Sequence, residues 1–521
     1  MSDAEGSLRG RYEKLSGDRY AYLERGRDCA KLTIPTLLPP EGTTSATRFR
    51  TPYQSLGARG VNNLAAKLLL ALLPPNSPFF RLVIDDVMLV KLTGREGMRA
   101  QVENALSSME RSVMTNIETS GLRTSAFEGL KLLLVTGNVL FFLAPEGGMK
   151  VFRLDRYVVK RDPMGNVLEI ITKENVSPME LPDNIRAAVM ANKSNDDNCD
   201  TVEVYTCIKR TETNWKVWQE ANGIDLPESR GSYPIGKSPW IPLRFIAVDG
   251  EDYGRGFVEE YLGDLQSLNA LRKAIVQGSA AAAKVLFLVK PNSTTKLRVL
   301  TESESGAVKE GNAEDVTVLQ MQKQADFAVA KQTCDTITGE LSFAFLLNTA
   351  IQRNGERVTA EEIRYMANEL ESSLGGVYST LSQEFQLPLV QRVMFQMERQ
   401  GKLPALPQGT VKPAITTGIE AIGRGNDLTK LQQFMTSLES LGPQVAPTYV
   451  NMGDLIKRTG ASLGIDMNGL IKTDEQIAAA EQQAQMQNML QQLGPSAVNQ
   501  LGGLMKQNLQ GQQAAAPTQG Q

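Results

Sequence analysis

No histidine occurs anywhere in this chain of 521 residues. That absence removes His-based nucleophilic triads, His-ligated zinc, His-ligated haem and the usual neutral-pH general base. Cysteine is nearly as scarce. Cys29, Cys199, Cys207 and Cys334 are isolated from one another, so neither a zinc motif nor a Cys-x-x-Cys redox pair is predicted. Isolated thiols in so long a chain fit a reducing compartment. No catalytic residue, metal ligand or cofactor is expected. Long apolar runs are missing as well. The most apolar stretch, LAAKLLLALL from Leu64 to Leu73, contains Lys67 and stops at Pro74-Pro75. It is about half the length a bilayer span requires, so a buried helix is predicted and a membrane role is not. The opening MSDAEGSLRGRYEK is polar and charged and predicts no secretory leader.

An excess of positive charge is also lacking. Lys and Arg total 55 against 58 Asp and Glu, a formal net charge of −3. Tight gripping of nucleic acid relies on cations that release counterions from phosphates, so a mildly acidic chain is poorly suited to it. Letting a polyanion slide past is a different electrostatic requirement, and this composition permits it. Hydrophobic content of 41% with 22% charged residues is ordinary for a soluble globular protein. The length predicts two to four structural units.

The apolar periodicity predicts an α+β chain. Helices are expected over GRYEKLSGDRYAYLERGRDCAKLTI, after TPYQSLGARGVNNL, from Arg95 to Thr119, and from Ser125 to Val135 with Gly137 as the stop. FFRLVID alternates as a strand. From Asn138 to Gly250 the pattern becomes strands and turns: VLFFLAP, MKVFRL, YVVKRD, NVLEIITKE and VEVYTCIKR, with a hairpin at Asp162–Asn166. A long helix from Phe257 to Lys284 follows, striped by Tyr261, Leu265, Leu268, Leu271 and Ile275. It ends in the small residues Gly278, Ala280, Ala281 and Ala282, which allow a neighbouring helix to approach closely. After a short β excursion, VLFLVKP to DVTVLQM, a second long helix covers Gln324 to Leu346. Helices are also predicted over Leu428–Leu441, Pro447–Thr459 and Asp474–Leu493. The tail QNLQGQQAAAPTQGQ is low-complexity and predicted to be disordered.

One motif invites a wrong conclusion. Gly231–Ser238, GSYPIGKS, matches G-x-x-x-x-G-K-[ST] and would imply a nucleic-acid-dependent ATPase. A phosphate loop needs its Ser to open a helix whose amides hold the phosphates. Here Ser238 leads into PWIPLRFI, which reads as a strand, and Pro234 withholds an amide from the cradle. The pairs Gly254/Gly256 and Gly423/Gly425 read as turns.

Residues 350–378, AIQRNGERVTAEEIRYMANELESSLGGVY, pose the sharper question. Thr359 and Glu362 have capping-box spacing, and Ile363, Met366, Leu370 and Leu374 recur as on a helix running to about Gln400. Gly375-Gly376 would cost that helix roughly 1–2 kcal/mol against alanine and predicts a kink. Ahead of the cap lies a polar hinge, Gln352, Arg353, Asn354, Gly355 and Arg357. An ordinary solvated turn is one reading of it.

Two long helices of matched length around a β excursion, then a polar hinge and a third long helix, form an unusual order. Together with YQSLGARGVNNLAAKLLLALLP, GNVLFFL, EEYLGDLQSL, QKQADFAVAK and TTGIEAIGRGNDLTKL, this resembles the portal proteins, the head-to-tail connectors of tailed phages. The likeness is greatest to the T-seven group of short-tailed podoviruses. What the resemblance implies is a phage portal fold: a dodecameric ring at one capsid vertex, through which double-stranded DNA is packaged and ejected. It implies a wing over 1–255, stem helices at 256–284 and 322–346, a clip at 285–321 and a channel loop at 347–358. A long kinked helix with a return to the wing would follow over 359–427, then a helical crown at 428–501 and a disordered tail at 502–521. On this reading Gln352, Arg353, Asn354 and Arg357 face DNA, and Lys290, Lys296, Arg298, Glu302 and Glu304 form the clip's partner surface. Gly278, Ala280, Ala281 and Ala282 pack subunits along the stem. Implied partners are the terminase large subunit, a tail adaptor, the major capsid protein, scaffold and internal core proteins. The implied location is the virion, after assembly in the bacterial cytoplasm. An internal scaffolding protein is the other alternative, suggested by the Gln-rich helical tail and opposed by the strands of 138–250.

Overall fold

The computed structural model describes residues 7–44, 46–75, 78–84, 98–183, 186, 201–282, 286–292, 296, 298, 301–304, 306–308, 310–319, 324–347, 369–370, 372–374, 376–404 and 411–415, with isolated positions beyond. The chain divides into two units, Met1–Gly425 and Asn426–Gln521. In the second unit Phe434, Thr436 and Ser437 are helical. Gly453 and Ile456, within the second helix expected there, and Gln483, within the third, are helical as well. The other residues of the three expected helices, the tail and Gly423/Gly425 lie outside the described residues, save for a bend at Val450.

The first unit is organised around one apolar helix. Helices α1 (Leu8–Leu32) and α2 (Leu56–Leu72), strand β1 (Phe80–Ile84) and helix α3 (Met98–Thr119) precede α4, Leu122–Thr136. Leu130 and Leu132–Val135 of α4 are all at most 1% exposed, so this helix is enclosed on several sides. It packs on β2 (Asn138–Leu143), where Gly129 admits the Phe141 ring; a methyl group at Gly129 would lie 2.1 Å from that ring. Burying each such Leu contributes roughly 1.5–3 kcal/mol, which makes α4 the centre of the core.

Strand β2 is the middle of a three-stranded antiparallel sheet, flanked by β3 (Met149–Phe152) and β9 (Trp240–Arg244). Between them runs a five-stranded antiparallel meander: β4 (Tyr157–Arg161), β5 (Val167–Val176), β6 (Val202–Arg210), β7 (Asn214–Ala221) and β8 (Ile224–Pro234). The expected hairpin at 162–166 is present. Asp162 takes the Asn166 amide at 2.7 Å and Gly165 adopts φ +82°. Strands β7 and β8 add to those read from sequence. Their turn, Asn222-Gly223, has both residues at positive φ, which suits a two-residue hairpin. The start of α1 packs Leu8, Tyr12 and Leu15 on Val158, Ile171, Tyr205 and Cys207 of the meander as a separate small core.

Beyond the sheets come α5 (Phe257–Glu260), α6 (Leu262–Ala282), the ribbon β10 (Leu286–Val289) with β11 (Val316–Leu319), and α7, Gln324–Ala344. The helix expected without interruption from Phe257 is broken at Tyr261. That residue leaves helical geometry at φ −106°, ψ 14° and donates its amide to Val258 at 3.1 Å. The tightened turn lets the Phe257 and Tyr261 rings both meet Phe345, at 5.4 and 5.9 Å between centroids.

The predicted kink also occurs. Gly376 takes φ +87°, and helix resumes as α8, Val377–Leu381. A π turn, Ser382–Gln386, then leads into α9, Leu387–Arg399. Pro388 explains the π turn. It has no amide hydrogen, and its ring would crowd the carbonyl four residues back, so the ladder widens and Leu387 donates to Ser382. Strand β12 (Val411–Ile415) returns to pair with β1. The capping box at Thr359 and Glu362 lies outside the described residues.

A polar staple joins the sheets to the start of the stem-like helices. Gly137 ends α4 at φ +74°, and a Cβ there would sit 2.4 Å from the Arg255 carbonyl carbon. The Asn138 amide donates to Gly254 O at 2.9 Å and accepts the Gly254 amide at 2.8 Å, all buried. Replacing Asn138 by alanine would strand both backbone groups of Gly254. We expect Asn138→Ala to lower unfolding free energy by about 2–4 kcal/mol, since each buried unpaired group costs about 1–3. Denaturant unfolding of the purified chain measures this, and a loss below about 0.5 kcal/mol would mean water replaces the amide.

Candidate functional site

The segments read as the two stem helices and the clip follow one another in the structure. Helices α6 and α7 lie antiparallel, with Gly278 against Phe327 at one end and Tyr261 near Phe345 at the other. A methyl at Gly278 would come within 2.5 Å of the Phe327 ring. The glycine therefore serves close approach inside the chain. Ala280 is exposed, and Ala281 and Ala282 are half-buried. At the junction Leu265 and Leu268 of α6 are buried, and none of its later residues is. With 21 residues, α6 is about 32 Å long. The hairpin leaves Val276, Val329 and Phe343 at 55%, 66% and 77% exposure, which is unusual for side chains of this size beside a large core.

Charge also organises the junction. Arg255 lies between Glu251, at 2.7 Å, and Glu259, at 3.1 Å, and its guanidinium stands 5.6 Å from the Tyr22 ring. Hydrogen bonds from Arg255 hold the Glu251 carboxyl below the ordinary glutamate range. Gly254 and Gly256, read from sequence as a turn, instead flank Arg255, which forms a β-bridge with Ile246, and Gly256 is extended at φ −86°, ψ 151° where it caps the next helix. A Cβ at Gly256 would meet Val135 O at 2.8 Å, so α5 starts in direct backbone contact with the end of α4.

The clip residues are surface groups in the connection between β10 and β11. Lys290 follows β10 and donates its amide to Asp315 O at 3.0 Å. Lys296 is exposed, Arg298 pairs with Glu302 at 2.7 Å with both side chains exposed, and Glu304 is exposed. Such an ion pair is worth under about 1 kcal/mol in water, so these charges remain available to a partner. Gln352, Arg353, Asn354 and Arg357 lie outside the described residues. Both flanks of that stretch are described. Asn63 of α2 donates to the carbonyls of Phe345 and Leu346 at 3.1 and 3.0 Å, and Lys67 to Leu346 O at 3.1 Å. On the far side Glu369 meets Lys67 at 3.3 Å. These α2 residues were not singled out as functional from sequence. The available signal was Gly60, Asn63 and Lys67 at i, i+3 and i+7 on one face of an apolar helix.

Gly231–Ser238 does not form a phosphate loop. Gly231 lies within β8, Gly236 makes a turn at φ +82°, and Ser238 leads into β9 rather than a helix. Lys237 stands over the Phe395 ring at 4.7 Å and 3.9 Å from Glu398. Among the described residues no group of three His, Cys, Asp or Glu could hold a metal ion, and no helix is long and apolar enough to cross a membrane. Burial pushes the Cys29 and Cys207 thiols up to about 12, far from nucleophilic at neutral pH.

A stem-like hairpin, a terminal ribbon and an anchored loop base on an α+β body are structural devices. Residues 5–471 match the family described as bacteriophage head to tail connecting protein. The chain belongs to that family. This connector is 43% identical to the portal protein of Escherichia phage T7 over 521 residues, covering 99% of this chain and 96% of the relative. It is 42% identical to the portal protein of Enterobacteria phage T3, covering 99% and 97%. To the portal protein of Enterobacteria phage SP6 the identity is 31%, covering 91% and 92%. The family read from the sequence is therefore the family found, and neither an ATPase nor a scaffolding protein is favoured for this connector.

Proposed function

We propose that this connector assembles into a closed dodecameric ring at one capsid vertex, through which double-stranded DNA enters and leaves, and that the ring joins head to tail. The observation that carries the reading is the α6–α7 hairpin, whose Val276, Val329 and Phe343 are exposed in the single chain. Contacts with a neighbouring copy would cover them, and heterologous contacts that repeat around an axis close into a ring. The protein acts as an interaction partner rather than an enzyme: the packaging motor, a terminase large subunit, docks from outside, and the connector supplies a bore. A net charge of −3 suits the task, because a weakly repulsive wall keeps DNA centred and mobile. The chain works in the virion, after assembly in the host cytoplasm, beside the major capsid protein, scaffold and internal core proteins.

The ribbon with Lys290, Lys296, Arg298, Glu302 and Glu304 is the proposed docking rim, first for the terminase and then for a tail adaptor. Its exposure and mixed charge support that role. Lys296→Glu with Arg298→Glu is expected to cut packaging in vitro while rings remain intact by electron microscopy. Unaltered packaging by the double variant would remove the rim from the docking surface.

Residues 347–358 are the proposed channel loop, with Gln352, Arg353, Asn354 and Arg357 as its DNA-facing groups. Repeated around a ring, Arg353 makes a thin band of positive charge in an acidic bore. Contacts of that kind hold phosphates without a sequence preference and weaken with salt. Arg353→Ala is expected to leave assembly and early packaging near normal and to let packaged DNA leak back once the motor is removed. Nuclease-protected DNA followed over time measures this, and retention equal to the parent would make the hinge an ordinary turn.

A further inference from the structure

The residues on either side of 348–368 meet the same helix, α2, and one buried ammonium contacts both flanks. The departing end is heavily determined. Phe345 is fully buried and fills the space over Gly60, where a Cβ would fall 2.5 Å from its ring. Leu346 follows in the left-handed region at φ +53°, a conformation that disfavours a side chain with a Cβ and persists only where its surroundings hold it. Asn63 donates to the two successive carbonyls, Phe345 O and Leu346 O, and Lys67 Nζ adds a third bond to Leu346 O. Lys67 is only 7% exposed. The same ammonium meets the Glu369 carboxylate at 3.3 Å, with that side chain 17% exposed. Leu370, next in the chain, is fully buried. Further along, Tyr378 donates its hydroxyl to Ala71 O at 3.0 Å, so the returning helix is fastened to the end of α2 as well.

A buried ammonium on an apolar helix is costly unless satisfied, and a nonpolar residue would fill the same volume more cheaply. What Lys67 can do that Leu or Met cannot is join a carbonyl on one side of the span to a carboxylate on the other. We infer that Asn63 and Lys67 are positioning residues that set the feet of the 348–368 span on α2, with Lys67 coupling the two feet. The inference rests on the channel-loop reading only for its consequence in DNA retention. The geometry of the two feet stands apart from it.

The test uses the full-length assembled protein with Lys67→Met, Glu369→Gln, the double variant and Lys67→Arg. Hydrogen–deuterium exchange is followed in peptides covering 341–374 and, as a reference, in α9. Lys67→Met and Glu369→Gln should each accelerate exchange around the two feet by tenfold or more, on the order of what losing a buried partner produces. Exchange in α9 should stay unchanged, the double variant should be no faster than Lys67→Met alone, and Lys67→Arg should recover most protection. Exchange unchanged at the feet, or raised equally in α9, would overturn the inference. If Lys67→Met fails to fold, the near-isosteric Glu369→Gln gives the same reading. DNA retention is measured on the same rings. Faster leakage joins the feet to the channel loop, whereas altered exchange with normal retention upholds the anchoring and counts against the loop as a DNA contact.

Discussion

The reciprocal pair of hydrogen bonds between Asn138 and Gly254 is the constraint on which the rest of the first unit depends. It joins residues 116 positions apart at the point where the central helix, the first sheet and the stem-like hairpin meet. Its surroundings admit no substitute. Gly137, Gly254 and Gly256 bring three backbones so close that any Cβ would fall within 2.9 Å of a neighbouring atom. Direct backbone contact fixes direction more tightly than side-chain packing, because it leaves no rotamers to adjust. The hairpin thus starts from a junction fixed by direct backbone contact, which a long lever needs if its far end is to meet a partner reproducibly.

A second fastening holds the other helix of the hairpin, α7, at the same base. The α2 helix is apolar enough to belong to the core, yet it directs Asn63 and Lys67 at carbonyls that follow the last turn of α7. Phe257, Tyr261 and Phe345 form a ring cluster between the two fastenings. Both helices of the hairpin are therefore held at their base, while Val276 and Val329 stay uncovered farther out. A base held on two sides with apolar positions exposed beyond it suits an element completed by copies of itself. The charge distribution agrees: the linked ion pairs Glu251–Arg255–Glu259 lie at the junction, and the connection between the ribbon strands carries exposed charge of both signs.

Much of this was legible in the sequence, and the reasons are local. Helices α1, α3 and α4 follow apolar periodicity, Gly137 stops α4 as expected, and the Asp162–Asn166 hairpin carries its own turn chemistry. The resemblance supplied the family because it rests on long stretches rather than single motifs. What escaped depends on residues far apart. The pairing of β1 with β12 joins Phe80 to Ile415, and no local pattern announces it. The π turn before Pro388 and the break at Tyr261 arise where a helix answers to a distant contact. Lys67 read as an interruption in an apolar run, since its partners Leu346 and Glu369 are some 280 and 300 positions away. In the candidate site, the contact of Gly278 with Phe327 of its own chain was not foreseen beside its reading as a subunit contact. The arginines of the hinge rest on sequence and family alone.

The account turns on whether the α6–α7 hairpin is completed by neighbouring copies. Mass photometry of the purified chain at micromolar concentration, with negative-stain images of the same sample, addresses this directly. The account predicts one high-mass species that is a whole multiple of the 57.0 kDa chain and appears end-on as a closed ring with a central opening. A folded, compact monomer under those conditions would contradict it.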